Sequence, residues 1–390
     1  MRILFSTVGL TGHLGSLVPL AWACRLAGHQ VVLATSPDAV GAVVATGLPA
    51  LGVGHGTATG GAVGSREVAD APSSWDRGRL FGRSARDRLP GLRRAVRDWG
   101  PDVVVVERAD LAGRVAAAET GLPCLELRWS VEAPREYEVA ARRELRGVAD
   151  PDALRSVPRE VLTPWPHELR GGRVPAHRTR EFRHVPYEGP GDLTDRIVPR
   201  ADAGRDGGRV CVTLGTVVSR SEAAGRGAVV PTLVTALVRA GCEVVLAAPA
   251  DAVAQWGPWP AAVRVAGPVP VSHLLETSDV VVHHGGHGTA LAAALAGRPS
   301  VMMPAFDDQI GNARALAGAG AGVLAGDPDD PADVAATCLA VLDDAAMADA
   351  AAALADLVRS RPALPAVVEG VLGPQAASAR TAFPPGSAAA

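Results

Sequence analysis

The sequence predicts an α/β protein built from two doubly wound, parallel-sheet domains that face each other across a cleft. Strand-like apolar runs alternate with helix-like segments from the first residues onward. The alternation breaks over 185–208, where the composition shifts to Pro, Gly, Asp and Arg, and it restarts with a new strand at Arg209. At 390 residues the chain has room for two domains of ordinary size.

In the first half, Arg2 to Thr7 reads as a strand and Leu17 to Ala27 as a helix stopped by Gly28. Gln30 to Thr35 is a second strand, Pro37 to Ala45 a helix and Pro49 to Val53 a short strand. Gly54 to Trp75 is glycine-rich and without period, so a long loop is expected. Leu80 to Trp99 sets apolar residues at helical spacing among many arginines. Pro101 to Val106 is a strand, Leu111 to Thr120 a helix and Pro123 to Leu127 a strand. This order places a first domain over 1–185 and a linker over 186–208.

The second half repeats the pattern over 209–358. Arg209 to Leu214 is a strand and Val229 to Ala240 a helix; Glu243 to Ala247, Val263 to Ala266 and Val280 to Val282 are further strands. Then comes His283-His-Gly-Gly-His-Gly-Thr289, running into an alanine-rich helix from Thr289 to Ala296. A strand, a glycine turn and a helix N-terminus together make an anion site from backbone N–H groups and the helix dipole. His284 adds a side-chain donor, so a phosphate-bearing ligand is the first expectation. Because side chains alternate along a strand, His283 and His284 point to opposite faces, and His283 is taken as structural. Ser300 to Pro304 is a short buried strand. Asp307-Asp-Gln309, with Asn312-Ala313, opens another helix, where carboxylate and amide suit bidentate hydrogen bonding to sugar hydroxyls. Leu364 to Leu372 is the last helix, and 373–390 is a Pro/Ala/Ser-rich tail expected to be disordered.

Composition excludes several classes. The net charge of −3 argues against nucleic acid or anionic membrane as the main partner. The chain has no lysine, so its 38 basic residues are all arginine. The five cysteines are scattered and suggest neither zinc nor a disulfide framework. Asp327-Pro-Asp-Asp330 reads as a turn and cap, and no metal site is expected. The start runs straight into a strand and glycine turn, unlike a signal peptide, and no apolar stretch is long enough to span a bilayer, so a cytoplasmic location is expected. Gly9-x-x-Gly12-x-x-Gly15 is not the dinucleotide fingerprint GxGxxG, which argues against a nicotinamide-dependent oxidoreductase.

His-Gly-Gly-x-Gly-Thr followed by Pro-x-x-x-Asp-Gln-x-x-Asn-Ala resembles the donor site of family 1 glycosyltransferases with the GT-B fold, above all the actinobacterial branch that decorates antibiotics. The resemblance spans about residues 1–372. It implies an inverting, metal-independent transfer of a hexose or deoxyhexose from a nucleotide sugar to a small natural-product acceptor, with no cofactor. A dTDP-sugar is the expected donor and a UDP-sugar the second choice; the segment Gly267-Pro-Val269-Pro270 lacks the tryptophan that commonly stacks on the base. The resemblance also implies that the last helix crosses back onto the first domain. A GT-B sugar-nucleotide epimerase and a non-catalytic nucleotide-binding homologue are the alternatives.

His13, in Thr11-Gly-His-Leu-Gly15 after the first strand, is the candidate general base, since an imidazole suits proton abstraction from a hydroxyl near neutral pH. It needs a carboxylate to orient it. The resemblance puts Glu107 there, where the family commonly has Asp, and Asp110 stays open as the alternative. Gly215, Thr216, Val269, His284, Gly285, Gly286, His287, Gly288 and Thr289 are expected around the nucleotide and diphosphate, and Asp308 and Gln309 around the sugar. His287 stands where the family has a small residue, and either a phosphate contact or simple exposure is open to it. Gly12 and Trp129 are placed on the acceptor side, where the 54–83 loop and the 129–137 region are expected to shape the pocket. Oligomeric state and any need for an auxiliary protein stay open.

Overall fold

The computed structural model describes residues 1–56, 64–132, 134–170, 178–189, 207–215, 218, 226–260, 262–265 and 269–373. Thr216, Gly267, the centre of the linker, residues 57–63 and the tail beyond Gly373 lie outside the described residues.

The first sheet has seven strands: β1 (Arg2–Ser6), β2 (Gln30–Thr35), β3 (Ala50–Gly52), β4 (Val103–Glu107), β5 (Cys124–Leu127), β6 (Glu160–Thr163) and β7 (Thr179–Glu181). They run in the order β3-β2-β1-β4-β5-β6-β7, every pairing parallel. Its helices are α1 (Thr11–Leu26), α2 (Val40–Val44), α3 (Ser65–Asp70), α4 (Ser74–Trp99), α5 (Leu111–Glu119), α6 (Arg135–Glu144) and α7 (Pro151–Arg155). Strand β4 is valine-rich and buried throughout, as a central parallel strand covered on both faces must be.

The second sheet has six strands: β8 (Arg209–Thr213), β9 (Glu243–Leu246), β10 (Val263–Val265), β11 (Val280–His283), β12 (Ser300–Met302) and β13 (Gly322–Leu324). Their order is β10-β9-β8-β11-β12-β13, again all parallel. Around it lie α8 (Arg226–Arg239), α9 (Ala250–Trp256), α10 (Val271–Leu275), α11 (His287–Ala296), α12 (Asp307–Gly318), α13 (Pro331–Leu342) and α14 (Ala345–Arg359). The last helix, α15 (Leu364–Leu372), returns to the first sheet, where Leu364, Val368 and Val371 join the core that holds Leu17, Leu20 and Cys24 of α1. Among the described residues no helix is long and apolar enough to cross a membrane.

Three local expectations need correcting. Helix α1 begins at Thr11 and not Leu17, so His13 is in its first turn and not in a loop. Gly12 and Gly15 read as turn glycines, but Gly15 is there for close approach: a Cβ would stand 3.2 Å from the Tyr187 carbonyl oxygen. Helix α4 begins at Ser74 and not Leu80, because Ser73 caps it by accepting from the Asp76 N–H, a polar start that apolar periodicity does not reveal. The expected 54–75 loop contains α3.

Candidate active site in the interdomain cleft

Both sheets point the carboxyl ends of their central strands into one cleft, where doubly wound folds bind their ligands. On the first side, β4 ends at Glu107, whose residue is 1% exposed. Its Oε2 accepts from the Trp129 indole N–H at 2.9 Å and from the Ala109 N–H at 2.7 Å, and Oε1 accepts from the Val8 N–H at 3.4 Å. His13 Nδ1 lies 3.1 Å from Oε2, with its N–H off the ideal line. Trp129 packs its ring 4.6 Å from the imidazole, centroid to centroid.

The electrostatics follow from this packing. Burial opposes the imidazolium of His13, but the Glu107 carboxylate and its hydrogen bond outweigh it, and His13 is raised above the ordinary histidine value. Burial likewise opposes the Glu107 carboxylate, but His13, Trp129 and the Ala109 N–H hold it below the usual carboxylate range. Asp110, the alternative partner, is engaged elsewhere. It takes Arg88 through both oxygens at 3.0 and 3.1 Å and caps α5 through the Gly113 N–H. The carboxylate beside His13 is therefore Glu107.

On the second side, β11 ends at His283, which is wholly buried and accepts the Gly285 N–H on Nδ1 at 3.0 Å. His284 turns the other way, against two glycines. A Cβ on Gly215 would lie 2.7 Å from its Cε1, and one on Gly286 would lie 2.2 Å from its Nε2. The glycines thus make room for the ring. Gly285, at φ 82°, presses on the Gln309 carbonyl in the same way, and its own carbonyl accepts from Asn312 Nδ2 at 3.0 Å. Asn312 Oδ1 accepts from the Val131 N–H of the first domain, so this amide ties the motif to the opposite wall.

Helix α11 starts at His287 with Gly286 at its N-cap, which has no side chain to cap the first-turn N–H groups. His287 donates from Nε2 to the Gly12 carbonyl oxygen across the cleft at 3.2 Å, and its ring lies 5.8 Å from that of Trp129. A cavity of about 680 Å³ opens here, lined by Gly12, Trp129, Gly215, Val269, His284, Gly286, His287, Gly288 and Thr289, and by the strap from Phe182 to Gly189. That volume suits a drug-sized ligand. His13 and Glu107 are not among the lining residues, but His13 is partly exposed and packs against Trp129, which is.

Asp308 lies within electrostatic reach of His13, and burial, reinforced by the like charge of Asp307, lifts it to about 7. Gln309 is 4% exposed and its Oε1 accepts from the Ala305 N–H at 2.9 Å. No pattern in the sequence signals the role of Asp307. At φ 40° it opens α12 and accepts from Ser74 Oγ at 2.7 Å, from Arg77 at 3.0 Å and from the Tyr137 hydroxyl, all in the first domain. His184 on the strap was also overlooked. It has no motif around it, and only the fold brings it to the cavity.

Among the described residues, one group could hold a metal ion: His167, Glu168 and Glu181. Both carboxylates pair with Arg361, and Glu181 also with Arg170. None of the three lines the cavity.

Comparison with known proteins gives the arrangement its context. The family described as erythromycin biosynthesis protein CIII-like, C-terminal domain, matches residues 231–372. The L-demethylnoviosyl transferase of Streptomyces niveus is 33% identical, over 96% of this chain and 98% of its own length. The elloramycin glycosyltransferase ElmGT of Streptomyces olivaceus is also 33% identical, over 93% of this chain and 94% of its own length. The solved spinosyn rhamnosyltransferase SpnG, complexed with thymidine diphosphate, superposes with a TM-score of 0.79 at 29% identity, covering 95% of this chain and 100% of that one.

Proposed function

This chain belongs to the GT-B glycosyltransferases of antibiotic biosynthesis, and from that premise we propose that it moves a hexose or deoxyhexose from a thymidine diphosphate donor to a hydroxyl of a natural-product acceptor, with inversion and without a metal. The observation that carries the reading is the convergence of the His13–Glu107 pair and the α11 N-terminus on one cleft. The thymidine nucleotide is supported by the diphosphate bound to SpnG, and the small-molecule acceptor by the same enzyme's complex with spinosyn aglycone.

In this mechanism the acceptor hydroxyl gives its proton to the free nitrogen of His13, since Nδ1 faces Glu107. The oxygen attacks the anomeric carbon from the side opposite the diphosphate, and the bond from that carbon to the diphosphate oxygen breaks. Glu107 fixes the tautomer and stabilises the imidazolium as it forms. The negative charge that develops on the leaving group is met by the first-turn N–H groups and dipole of α11 and by His284. Asp308 would meet a sugar hydroxyl. Helix end and imidazole together supply the charge stabilisation that a divalent cation gives elsewhere.

A thermal-shift panel with dTDP, UDP, GDP and NAD tests the reading. A ligand at about 100 times its Kd stabilises the native state by about 2.7 kcal/mol, an easily measured shift. A response confined to dTDP, or to dTDP and UDP, is expected; a response to NAD alone overturns the assignment. Loss of transfer on EDTA treatment, restored by a divalent cation, would sink the metal-free mechanism.

A further inference from the structure

Three imidazoles from three separate elements face the cavity. His184 lies on the strap after β7, His284 follows β11, and His287 is the first residue of α11. In each a buried ring nitrogen has no hydrogen-bond partner among the described residues: Nε2 of His184, Nδ1 of His284 and Nδ1 of His287. A buried polar atom left unpaired is unfavourable, and imidazoles beside a helix N-terminus suit an anion. His283 also keeps an unpaired nitrogen, Nε2, while its Nδ1 accepts the Gly285 N–H, but it lies off the cavity.

We propose that His184 completes, with His284 and His287, a three-imidazole clamp that grips the donor diphosphate from the strap and from the α11 N-terminus together. This rests on the donor assignment above and adds to it a residue from outside the glycine motif, carried by the segment that joins the domains. The strap is held to the second domain: Glu188 accepts from both the N–H and the hydroxyl of Ser272, the second residue of α10. His184 is thereby anchored beside the donor wall.

The clamp has a consequence for protons. Burial holds His184 at about 3 and His284 and His287 at about 4, with His287 lowering the first two further and His13 lowering His287, so all three are neutral at pH 7. The other ionisable groups on the cavity lining are Tyr187, Glu188 and Asp251, and His13 and Glu107 act on His287 from the opposite wall. With its Nε2–H given to the Gly12 carbonyl, a neutral His287 keeps an unprotonated, buried Nδ1. It can donate to a phosphate oxygen only after taking up a proton. A bound diphosphate supplies the negative charge that makes the uptake favourable.

The test is calorimetric titration of dTDP at pH 7, in two buffers of different ionisation enthalpy, with thymidine as the phosphate-free probe. Wild type, His184→Phe and His184→Gln are compared, and thermal unfolding confirms that the variants fold. Wild type takes up protons on binding dTDP. His184→Phe weakens dTDP about tenfold or more, the scale of one lost charge-assisted hydrogen bond, and leaves thymidine unchanged. His184→Gln restores part of the affinity by its N–H but takes up fewer protons than wild type. Both variants binding dTDP within about twofold of wild type would exclude His184 from the clamp while the donor assignment stands. Wild type that binds neither dTDP nor UDP removes the donor assignment, and the clamp with it.

Discussion

On the first-domain wall of the cleft both oxygens of Glu107 accept hydrogen bonds and His13 Nδ1 lies 3.1 Å from one of them, whereas His284 and His287 of the second-domain wall line the cavity and each keep a buried ring nitrogen with no partner among the described residues. The first wall is organised before any ligand arrives, and the second is organised for a ligand that brings charge. The pKa directions divide along the same line: His13 is raised by the Glu107 carboxylate against its burial, while burial lowers His284 and His287. Catalytic geometry benefits from being fixed in advance. A diphosphate site benefits from neutral donors that charge only when the anion enters.

The contrast can be broken in four places. The largest effect is expected from His13→Ala, which should lower kcat by about 10²- to 10⁴-fold and leave dTDP affinity unchanged. Retention of more than about a tenth of wild-type turnover removes the general-base role. His284→Ala should do the reverse, weakening dTDP by about 10- to 100-fold through the loss of one charge-assisted hydrogen bond; equal affinity by calorimetry refutes the donor wall.

Glu107→Gln sharpens the comparison through pH. His13 must be neutral to accept a proton, so activity rises with pH through its raised pKa. Removing the Glu107 charge deletes the main force raising it, so the acid limb of the kcat/KM profile should move to lower pH while kcat falls. An unmoved limb would mean that the limb does not report His13. The smallest effect is expected from Tyr137→Phe, which removes one of the hydrogen bonds to Asp307 that join the walls. It should lower stability by about 1 kcal/mol, measured by denaturant midpoint, and should be non-additive with Arg77→Ala. Additivity of the two would show that they do not act on one carboxylate.

Much of this was legible because it is local. The valine runs of β4 and β11 announce buried parallel strands, and the glycines between His284 and Thr289 announce a turn into a helix. What escaped reading is long-range. Asp307 meets Arg77 across 230 positions, and no pattern around either residue signals the other. The start of α1 was misplaced because a glycine needed for contact with Tyr187 looks the same in sequence as one needed for a turn.

The sequence by itself determined the two alternating halves, the position of His13 after the first strand, a carboxylate at the end of β4 and a histidine-glycine turn before α11. Each depends on strand and helix periods or on motifs a few residues long. Only the tertiary structure decided that Glu107 and not Asp110 reaches His13, that Trp129 holds that carboxylate, that Asp307 joins the two domains and that His184 enters the cavity. Those outcomes turn on which atoms the packed sheets bring within hydrogen-bonding distance, and neither composition nor spacing along the chain encodes that distance.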